Sequence, residues 1–269
     1  MLIDTHAHLE MEQFEGDLET VIKRASGQGV KNIINVGSSI EGSESALEIA
    51  KKHAPYIICS VGVHPHDAES INKKSLLALK EMAQNPEVVA IGEIGLDYYV
   101  PPPGLPLSRE VIEKQKLAFI EQLHLAAELS KPVIIHCRDA YEDTAEILEE
   151  FANEMKSKYE LRGVVHSWGG NWEQAEQFLN LGLMLGFTAN ITYKNVKKEI
   201  EEVIVNVPLD RFVVETDAPF LAPQVWRGTR NEPSYVGEVA KQIAFYKGLN
   251  FEEMEISSTK NAELLFGLE

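Results

Sequence analysis

Leu2-Ile3-Asp4-Thr5-His6-Ala7-His8 stands at the start of the chain, where an apolar run of strand length leads into two histidines. Short apolar runs that end in a histidine or a carboxylate recur at Gly92-Glu93, Val133-Ile134-Ile135-His136, Val164-Val165-His166 and Val213-Val214-Glu215-Thr216-Asp217. If the runs are strands of one sheet, their polar ends meet at one edge. The pattern therefore predicts a metal site built at the ends of several strands.

Apolar runs of this kind recur at fairly even intervals along the whole chain. There are eight, at Leu2–Asp4, Asn32–Val36, Tyr56–Val63, Val88–Ile91, Pro132–Ile135, Gly163–Val165, Leu183–Phe187 and Arg211–Val214. Between them lie stretches with helical periodicity, among them Leu18–Ala25, Ser45–Lys52, Ser75–Ala83, Val111–Leu129, Ala145–Phe151, Glu173–Leu179 and Val196–Val205. A doubly wound open sheet more often has about five to seven strands, so eight units favour a barrel. We predict an α/β fold, a single-domain (β/α)₈ TIM barrel over residues 1–269.

Composition narrows the class of protein. A hydrophobic content of 44 % in 269 residues is enough for one well-buried core. The formal charge of −17 argues against a large basic surface that binds nucleic acid. Cations at the site would therefore have to hold an anionic substrate. The sequence has neither a secretory signal nor the roughly 20 apolar residues of a membrane span, which predicts a cytoplasmic protein without membrane contact. It indicates no obligate protein partner.

Two stretches interrupt the repeat, and a few residues mark helix starts. Tyr98–Leu107 and Ala218–Pro233 are rich in proline and are expected to form loops on the catalytic face of the barrel. Asp139 followed by Glu142 resembles a capping box, and Asn171 is placed to cap the next helix. Pro233 suits a first helical turn.

Strand alternation and barrel closure predict where a first ion binds. Residues two apart on a strand share a face, so His6 and His8 point the same way. Closure sets strand eight beside strand one, which brings Asp217 next to both histidines although the sequence holds them far apart. These three residues are therefore expected to hold one ion.

A second ion is expected between His136 and His166, which follow the adjacent strands five and six. Glu93, at the end of strand four, is placed to bridge the two ions. On strand four, alternation places Ile91, Gly95 and Asp97 on the same face as Glu93. On strand five, it places Ile134 and Arg138 on the same face as His136. Two ions about 3.5–4 Å apart that share a carboxylate and a water are the usual arrangement for hydrolysing phosphate esters.

The motifs, taken in order, resemble those of the TatD family of metal-dependent deoxyribonucleases. The matching segments are Asp4-Thr5-His6-Ala7-His8-Leu9, Gly62-Val63-His64-Pro65-His66, Gly92-Glu93-Ile94-Gly95-Leu96-Asp97-Tyr98, His136-Cys137-Arg138-Asp139-Ala140 and Glu215-Thr216-Asp217-Ala218-Pro219-Phe220-Leu221-Ala222-Pro223. The resemblance implies a TIM barrel of the amidohydrolase type with two divalent ions, whose ligands are His6, His8 and Asp217 for one, His136 and His166 for the other, and Glu93 for both. The strand-six motif departs from the family, which commonly has Cys after the histidine, whereas His166 is followed here by Ser167. The adjoining loop, and with it the fit of the substrate, is where this chain is expected to differ.

Two residues near the ligands are candidates for binding substrate. His64, at the end of strand three, is expected either to cap a turn or to touch a substrate phosphate. Arg138 shares a face with His136, so it either clamps a phosphate oxygen or forms a buried ion pair with Glu215 or Asp97.

Other residues are expected to support the site without binding an ion. Glu215 lies one layer below Asp217, where an unpaired carboxylate is costly, so it should accept a hydrogen bond from a ligand histidine or from Arg138. Aromatic residues in the loops of the catalytic face either pack those loops or stack nucleobases: Tyr98, Tyr99, Trp168 and Trp226.

The leading hypothesis for function is hydrolysis of phosphodiester bonds. Two divalent ions would polarise the phosphate and generate a metal-bound hydroxide, with Asp217 relaying a proton and Glu93 bridging the ions as the catalytic residues. This predicts a 3′-5′ exonuclease-like deoxyribonuclease acting on DNA ends, with single strands favoured. Zn²⁺, Mn²⁺ and Mg²⁺ all stay open as the ion. Two alternatives stay open as well: an amidohydrolase-type esterase, lactonase or aminoacyl-ester deacylase that uses the same site, and a catalytically silent binding protein.

Overall fold

Eight parallel strands form a barrel in the computed structural model, which describes residues 1–268 of the chain. The strands are β1 (Leu2–Ala7), β2 (Val30–Val36), β3 (Ile57–Val61), β4 (Val88–Asp97), β5 (Val133–Arg138), β6 (Gly163–Val165), β7 (Met184–Phe187) and β8 (Phe212–Val214). Each strand pairs with the next in chain order, from β1 through to β8. Every predicted apolar run overlaps one of these strands, so the prediction of a (β/α)₈ barrel is confirmed.

Helices alternate with the strands and cover the outside of the barrel. They are α1 (Leu18–Gly27), α2 (Ile40–His53), α3 (Lys73–Met82), α4 (Arg109–Glu128), α5 (Tyr141–Met155), α6 (Trp172–Asn180), α7 (Lys198–Asn206), α8 (Val236–Lys247) and α9 (Phe251–Phe266). Within residues 1–268, none of these helices combines the length and the apolar content that crossing a bilayer requires.

Side-chain caps set several of the helix starts. Asn171 accepts a hydrogen bond from the backbone of Gln174 in a full capping box, so the predicted cap of α6 is confirmed. The predicted capping box at Asp139 is wrong, because α5 begins one residue later than that box requires, with Ala140 at its N-cap. Asp139 has a φ of +54°, a left-handed conformation that turns the chain from the end of β5 towards the helix.

Two apolar clusters fill the fold, one inside the barrel and one between the barrel and its helices. The inner cluster contains residues of α9 and of every strand except β7. Met184 of β7 packs against this cluster. Its members on the strands are Ile3, Ile34, Val36, Ile58, Ala90, Ile134, Val164 and Val213. The outer cluster joins the opposite strand faces to the helices. Each fully buried aliphatic side chain contributes about 1.5–3 kcal/mol to the stability of this arrangement.

The inner cluster shows which strand positions face the barrel interior. His136 and His166 each lie two residues after an inner residue, as regular alternation requires. His6 and Glu93 lie three residues after their inner residues, Ile3 and Ala90, and both strands carry a register irregularity at that point. The prediction that Ile91 shares a face with Glu93 is therefore wrong, and Ile91 belongs to the outer cluster.

Contacts between the end of β8 and the end of β1 close the barrel, and we call this junction the β8–β1 seam. The His8 backbone N–H donates to the Ala218 carbonyl at 2.7 Å, and the Asp217 N–H donates to the His6 carbonyl at 2.8 Å. Deeper in the seam, the Thr216 backbone N–H and hydroxyl donate to the two carboxylate oxygens of Asp4, at 2.8 and 2.6 Å. The seam therefore places Asp217 beside His6 and His8.

Candidate metal centre

A cavity of about 750 Å³ opens at the carboxyl ends of the strands, the end where barrel enzymes carry their active sites. The predicted ligands that line it are His8, Glu93, His136, His166 and Asp217. His6, the remaining predicted ligand, is fully buried just behind this lining. The structure thus brings all six predicted ligands to one place.

The first group of ligands lies at the β8–β1 seam. His6 Nε2 and His8 Nε2 are 3.1 Å apart, and Glu93 Oε2 lies 3.6 and 3.8 Å from these two atoms. Asp217 Oδ1 completes the group at 3.9 and 3.6 Å. Two imidazole nitrogens about 3.0–3.4 Å apart are what metal–nitrogen bonds of about 2.0–2.1 Å at a near-tetrahedral angle produce. The spacing and chemistry of these four side chains fit a divalent ion.

The second group shares Glu93 with the first. Glu93 Oε1 lies 2.7 Å from His136 Nδ1 and 4.0 Å from His166 Nε2, while its other oxygen faces His6 and His8. Asp217 Oδ1 is 3.7 Å from His166 Nε2. The buried Glu93 carboxylate therefore divides its two oxygens between two sets of imidazoles, which is the geometry expected of a bridging ligand.

Charge is concentrated at this buried centre. Burial works to raise the pKa of Glu93, but the hydrogen bond with His136 and the nearby His6 imidazole bring it well below its ordinary value. Burial likewise opposes protonation of His166, yet the nearby Glu215 and Asp217 carboxylates raise its pKa to about 9. Buried carboxylates thus demand positive charge next to them, and a divalent cation would supply it.

Glu215 lies beneath the ligands, fully buried. Its Oε1 is 2.8 Å from His166 Nδ1 and accepts a hydrogen bond from the Ser167 backbone N–H at 2.6 Å. The contact with His166 is a close electrostatic one, because its geometry is not that of a hydrogen bond and Nδ1 has no hydrogen-bond partner among residues 1–268. A Cβ on Gly186 would lie 2.6 Å from Glu215 Oε1, so the glycine provides the room that this carboxylate occupies.

The two candidates for substrate binding lie on the cavity wall. His64 Nε2 is 4.0 Å from Glu93 Oε1, and burial lowers the pKa of His64 to about 3. Its Nδ1 also accepts a hydrogen bond from the His66 backbone N–H, so the expected capping contact exists. Arg138 is exposed, and its guanidinium stacks over the Tyr99 ring at 3.7 Å. Within residues 1–268 it makes no ion pair with a carboxylate, so the alternative of a buried ion pair is wrong.

Two acidic residues at the centre were missed as site residues. Asp97 Oδ2 lies 3.1 Å from His136 Nε2 and 3.1 Å from His66 Nε2, and Asp97 is almost fully buried. Its position in phase with Glu93 on the same strand was the available signal. Glu10 Oε1 lies 3.5 Å from His8 Nδ1, and its position two residues after His8 was the signal there. Trp168, considered for base stacking, is instead buried.

The fold and the centre together define a barrel hydrolase of the metal-dependent class. The sequence profile described as TatD related DNase matches residues 3–267, so the chain belongs to that family and the resemblance seen in the motifs is confirmed.

Relatives extend over the whole length of the chain. It is 41 % identical over 266 residues to YabD of Bacillus subtilis, named an uncharacterized metal-dependent hydrolase, covering 99 % of each chain. It is 35 % identical over 271 residues to a protein of Erwinia amylovora named 3′-5′ ssDNA/RNA exonuclease TatD, covering 99 % of this chain and 100 % of the relative. The crystal structure of YjjV, a TatD homologue of Escherichia coli K12, superposes with a TM-score of 0.88 at 30 % identity, covering 100 % and 98 % of the two chains.

Proposed function

We propose that this chain is a metal-dependent nuclease that removes nucleotides from the 3′ end of single-stranded DNA or RNA. The family supports a metal-dependent nuclease, and the Erwinia amylovora relative named as a 3′-5′ ssDNA/RNA exonuclease supports the direction and the substrate. The observation that carries the proposal is the Glu93 carboxylate, which turns one oxygen to His6 and His8 and the other to His136 and His166.

The proposal assigns two divalent ions to this centre. His6, His8 and Asp217 would hold one ion, His136 and His166 would hold the other, and Glu93 would be shared. When bound, such ions polarise the phosphodiester and lower the pKa of a water molecule towards neutrality. Imidazole ligands suit Zn²⁺ or Mn²⁺, and phosphoryl chemistry also uses Mg²⁺, so the ion is to be identified by experiment.

The side chains around the ions divide the remaining work. Asp217 Oδ1 lies between the two groups of histidines, and this side chain is 14 % exposed to the cavity, so it can pass a proton between the centre and solvent. Glu215 holds the ring of His166 from below. His64 and Arg138 stand on the wall, where a substrate phosphate would lie, and Arg138 offers a planar pair of donors for it. The cytoplasmic location and the absence of an obligate protein partner stay predictions.

The first test measures metal dependence. Protein treated with a chelator and then dialysed should lose cleavage of a 5′-labelled single-stranded oligonucleotide and regain it with Mn²⁺ or Zn²⁺. A ladder shortened from the 3′ end is expected. An ion at 100 times its Kd should add about 2.7 kcal/mol to the free energy of unfolding, because it binds only the folded state. Full activity in metal-free protein contradicts the mechanism, and hydrolysis of esters or lactones alone contradicts the substrate.

Asp217→Asn tests the proton-relay residue with little change of shape. Asp217 has a φ of +57°, and asparagine tolerates this left-handed conformation as well as aspartate does. We expect kcat to fall by at least about 100-fold, the usual contribution of a positioned acid or base. Asp210→Asn is the matched control, since Asp210 is exposed on the turn before β8 and should leave kcat unchanged. Equal activity of the two variants would remove Asp217 from the mechanism.

A further inference from the structure

A second, smaller cavity adjoins the metal centre. It measures about 260 Å³ and shares Gly169 and Asn190 with the large cavity, so the two spaces adjoin at these residues. Its other wall is the segment from Tyr193 to Ile200, which leads into α7. No ligand of the metal centre lines it. A chain molecule whose reacting group lies at the centre could therefore continue into this space.

Four cationic residues lie in or near the segments beside this second cavity, in a chain whose formal charge is −17, and Glu199, Glu201 and Glu202 follow them in α7. Lys197 lines the cavity, and Lys194 and Lys198 flank it in sequence. Arg227 lies over the ring of Tyr193, another lining residue, at 4.5 Å. Within residues 1–268 these four cations make no ion pair with a carboxylate, unlike Arg24 and Arg230, whose charges are already matched. Their charge is available to an anion.

Hydrogen bonds hold the two walls of this region in place. The Gln224 N–H donates to Thr192 Oγ1 at 2.8 Å, and the Lys194 N–H donates to Gln224 Oε1 at 3.2 Å. These bonds tie the loop that carries Arg227 to the segment that carries Lys197. Rigid walls reduce the conformational entropy lost when a ligand binds.

One buried polar atom at the junction lacks a partner. Asn190 Oδ1 is inaccessible to solvent and accepts no hydrogen bond within the described part of the chain. An unpaired buried acceptor is costly. Because the Asn190 side chain lines both cavities, a rotation that turns Oδ1 towards a donor on a bound ligand would remove this cost. The N–H groups of nucleobases and the hydroxyl of a ribose are donors of this kind.

We infer that the second cavity binds the backbone phosphate of the nucleotide that adjoins the scissile phosphate in a single strand. Lys197 and Arg227 hold this phosphate, and Asn190 lies where the strand passes from one cavity to the other. The inference rests on the proposed nuclease function and adds to it a binding path for the strand. We call this path, formed by Asn190, Lys197 and Arg227, the track. It also reconciles an acidic protein with a polyanionic substrate, because the attraction is confined to one wall beside the centre.

Lys197→Gln tests the track, with two substrates that differ in length. One is a single-stranded oligonucleotide, and the other is the p-nitrophenyl ester of thymidine 5′-monophosphate, a phosphodiester without a flanking phosphate. We expect kcat/KM for the oligonucleotide to fall about 3- to 10-fold through KM, and its salt dependence to lose a slope of about 0.7, the value for one single-strand phosphate contact. Hydrolysis of the small ester should not change. Arg227→Gln should behave in the same way.

Lys260→Gln is the matched control, because Lys260 is an exposed lysine of α9 that forms no ion pair with any of residues 1–268, and the neighbouring Thr259 contacts Met1 at the amino-terminal end of the barrel. It should leave both substrates unaffected. If Lys197→Gln and Lys260→Gln have the same KM and salt slope for the oligonucleotide, the track is overturned while the nuclease proposal stands. If the wild-type protein with metal hydrolyses neither substrate, it is the nuclease proposal that fails.

Discussion

At the scale of single residues, the centre depends on two departures from regular strand geometry. Ile3 and Ala90 face the barrel interior. With regular alternation, the next residues to face the interior would be Thr5 and Gly92, and His6 and Glu93 would point outwards. The register irregularities in β1 and β4 shift the phase by one residue and turn His6 and Glu93 inwards. The residue types were therefore predictable as candidate ligands, whereas the backbone detail that aims them was not.

Gly186 is a second residue whose importance comes from its neighbours. A methyl group there would lie 2.6 Å from Glu215 Oε1 and would push the carboxylate away from His166 Nδ1 and the Ser167 N–H. We expect Gly186→Ala to cost about 1–3 kcal/mol of unfolding free energy through overpacking, and to lower activity about 10- to 100-fold because the ring of His166 loses its support. Chemical denaturation and oligonucleotide cleavage measure the two effects.

Gly237→Ala is the control for the change of residue type. Outside its own helix turn, a Cβ at Gly237 meets no atom of residues 1–268 within 4 Å, and the residue lies in the first turn of α8, where alanine is tolerated at least as well as glycine. This variant should be at least as stable as the wild type and fully active. If Gly186→Ala behaves like Gly237→Ala, Glu215 does not need the space that the glycine leaves.

At the scale of elements, the loop after β8 is fixed to α1 and its N-cap by ion pairs. Arg230 contacts Asp17 at 2.8 Å and Glu232 at 3.3 Å, and Arg24 of α1 contacts Glu232 at 2.7 Å. The same loop carries Phe220, which lines the metal cavity. The loop was predicted from its prolines and α1 from its periodicity, whereas the contact between them was not, because the partners are over 200 residues apart.

The Asp17–Arg230 pair should couple stability to pH. Hydrogen bonding from Arg230 lowers the pKa of Asp17 below its ordinary value of 3.8 in the folded protein. The folded-state pKa is thus below the unfolded one, so the contribution is present above about pH 4 and is lost as the pH falls through the lowered value. We expect a coupling energy of about 0.2–1 kcal/mol from the double-mutant cycle of Asp17→Asn and Arg230→Gln at pH 7 and 0.1 M salt.

The coupling energy at pH 7 and 0.1 M salt is to be compared with the coupling energy from the same double-mutant cycle measured at pH 3 and in high salt. Coupling should shrink in both conditions, because protonation removes the charge of Asp17 and salt screens it. A coupling energy that stays constant from pH 7 to pH 3 would show that packing of Arg230 over Phe14, at 4.6 Å, accounts for the contact instead.

The strand ends show where prediction from apolar runs stops. The run at Val88–Ile91 marks only the first part of β4, which continues to Asp97. The ladder between β4 and β5 extends to Asp97 and Arg138, since backbone hydrogen bonds do not depend on side-chain polarity. Three of the proposed ligands, His6, Glu93 and His136, thus lie on the strands themselves, and this gives them the rigid backbone that a metal site needs.

At the scale of the whole molecule, the barrel closes through few contacts at the β8–β1 seam. Only one isolated bridge, Ala7 to Ala218, joins the two strands within residues 1–268, so side-chain hydrogen bonds matter more here than elsewhere in the sheet. Thr216 contributes two of them to Asp4, which is fully buried. The seam also carries three of the proposed ligands, so closing the barrel and assembling the first ion site are one event.

Thr216→Val should weaken this closure while it keeps the shape of the side chain. The Asp4 carboxylate loses its 2.6 Å hydroxyl donor in a buried site, for which we expect a loss of about 1–3 kcal/mol in the free energy of unfolding. Thr229→Val serves for comparison, since Thr229 is exposed and its loss should stay within about 0.5 kcal/mol. Urea denaturation at pH 7.5 compares the two variants. Equal stability would show that the seam does not depend on the Thr216 hydroxyl.

The sequence alone determined the barrel and the residue types of its centre. Eight apolar runs separated by helical stretches leave few ways to bury a core, and histidines or acids after such runs meet wherever parallel strands end together. Only the tertiary structure decided how those side chains are aimed. The irregularities of β1 and β4, the division of the two Glu93 oxygens and the place of Asp97 beside His136 depend on contacts between distant segments, and the register and free space at those contacts exist only once the strands have closed into a barrel.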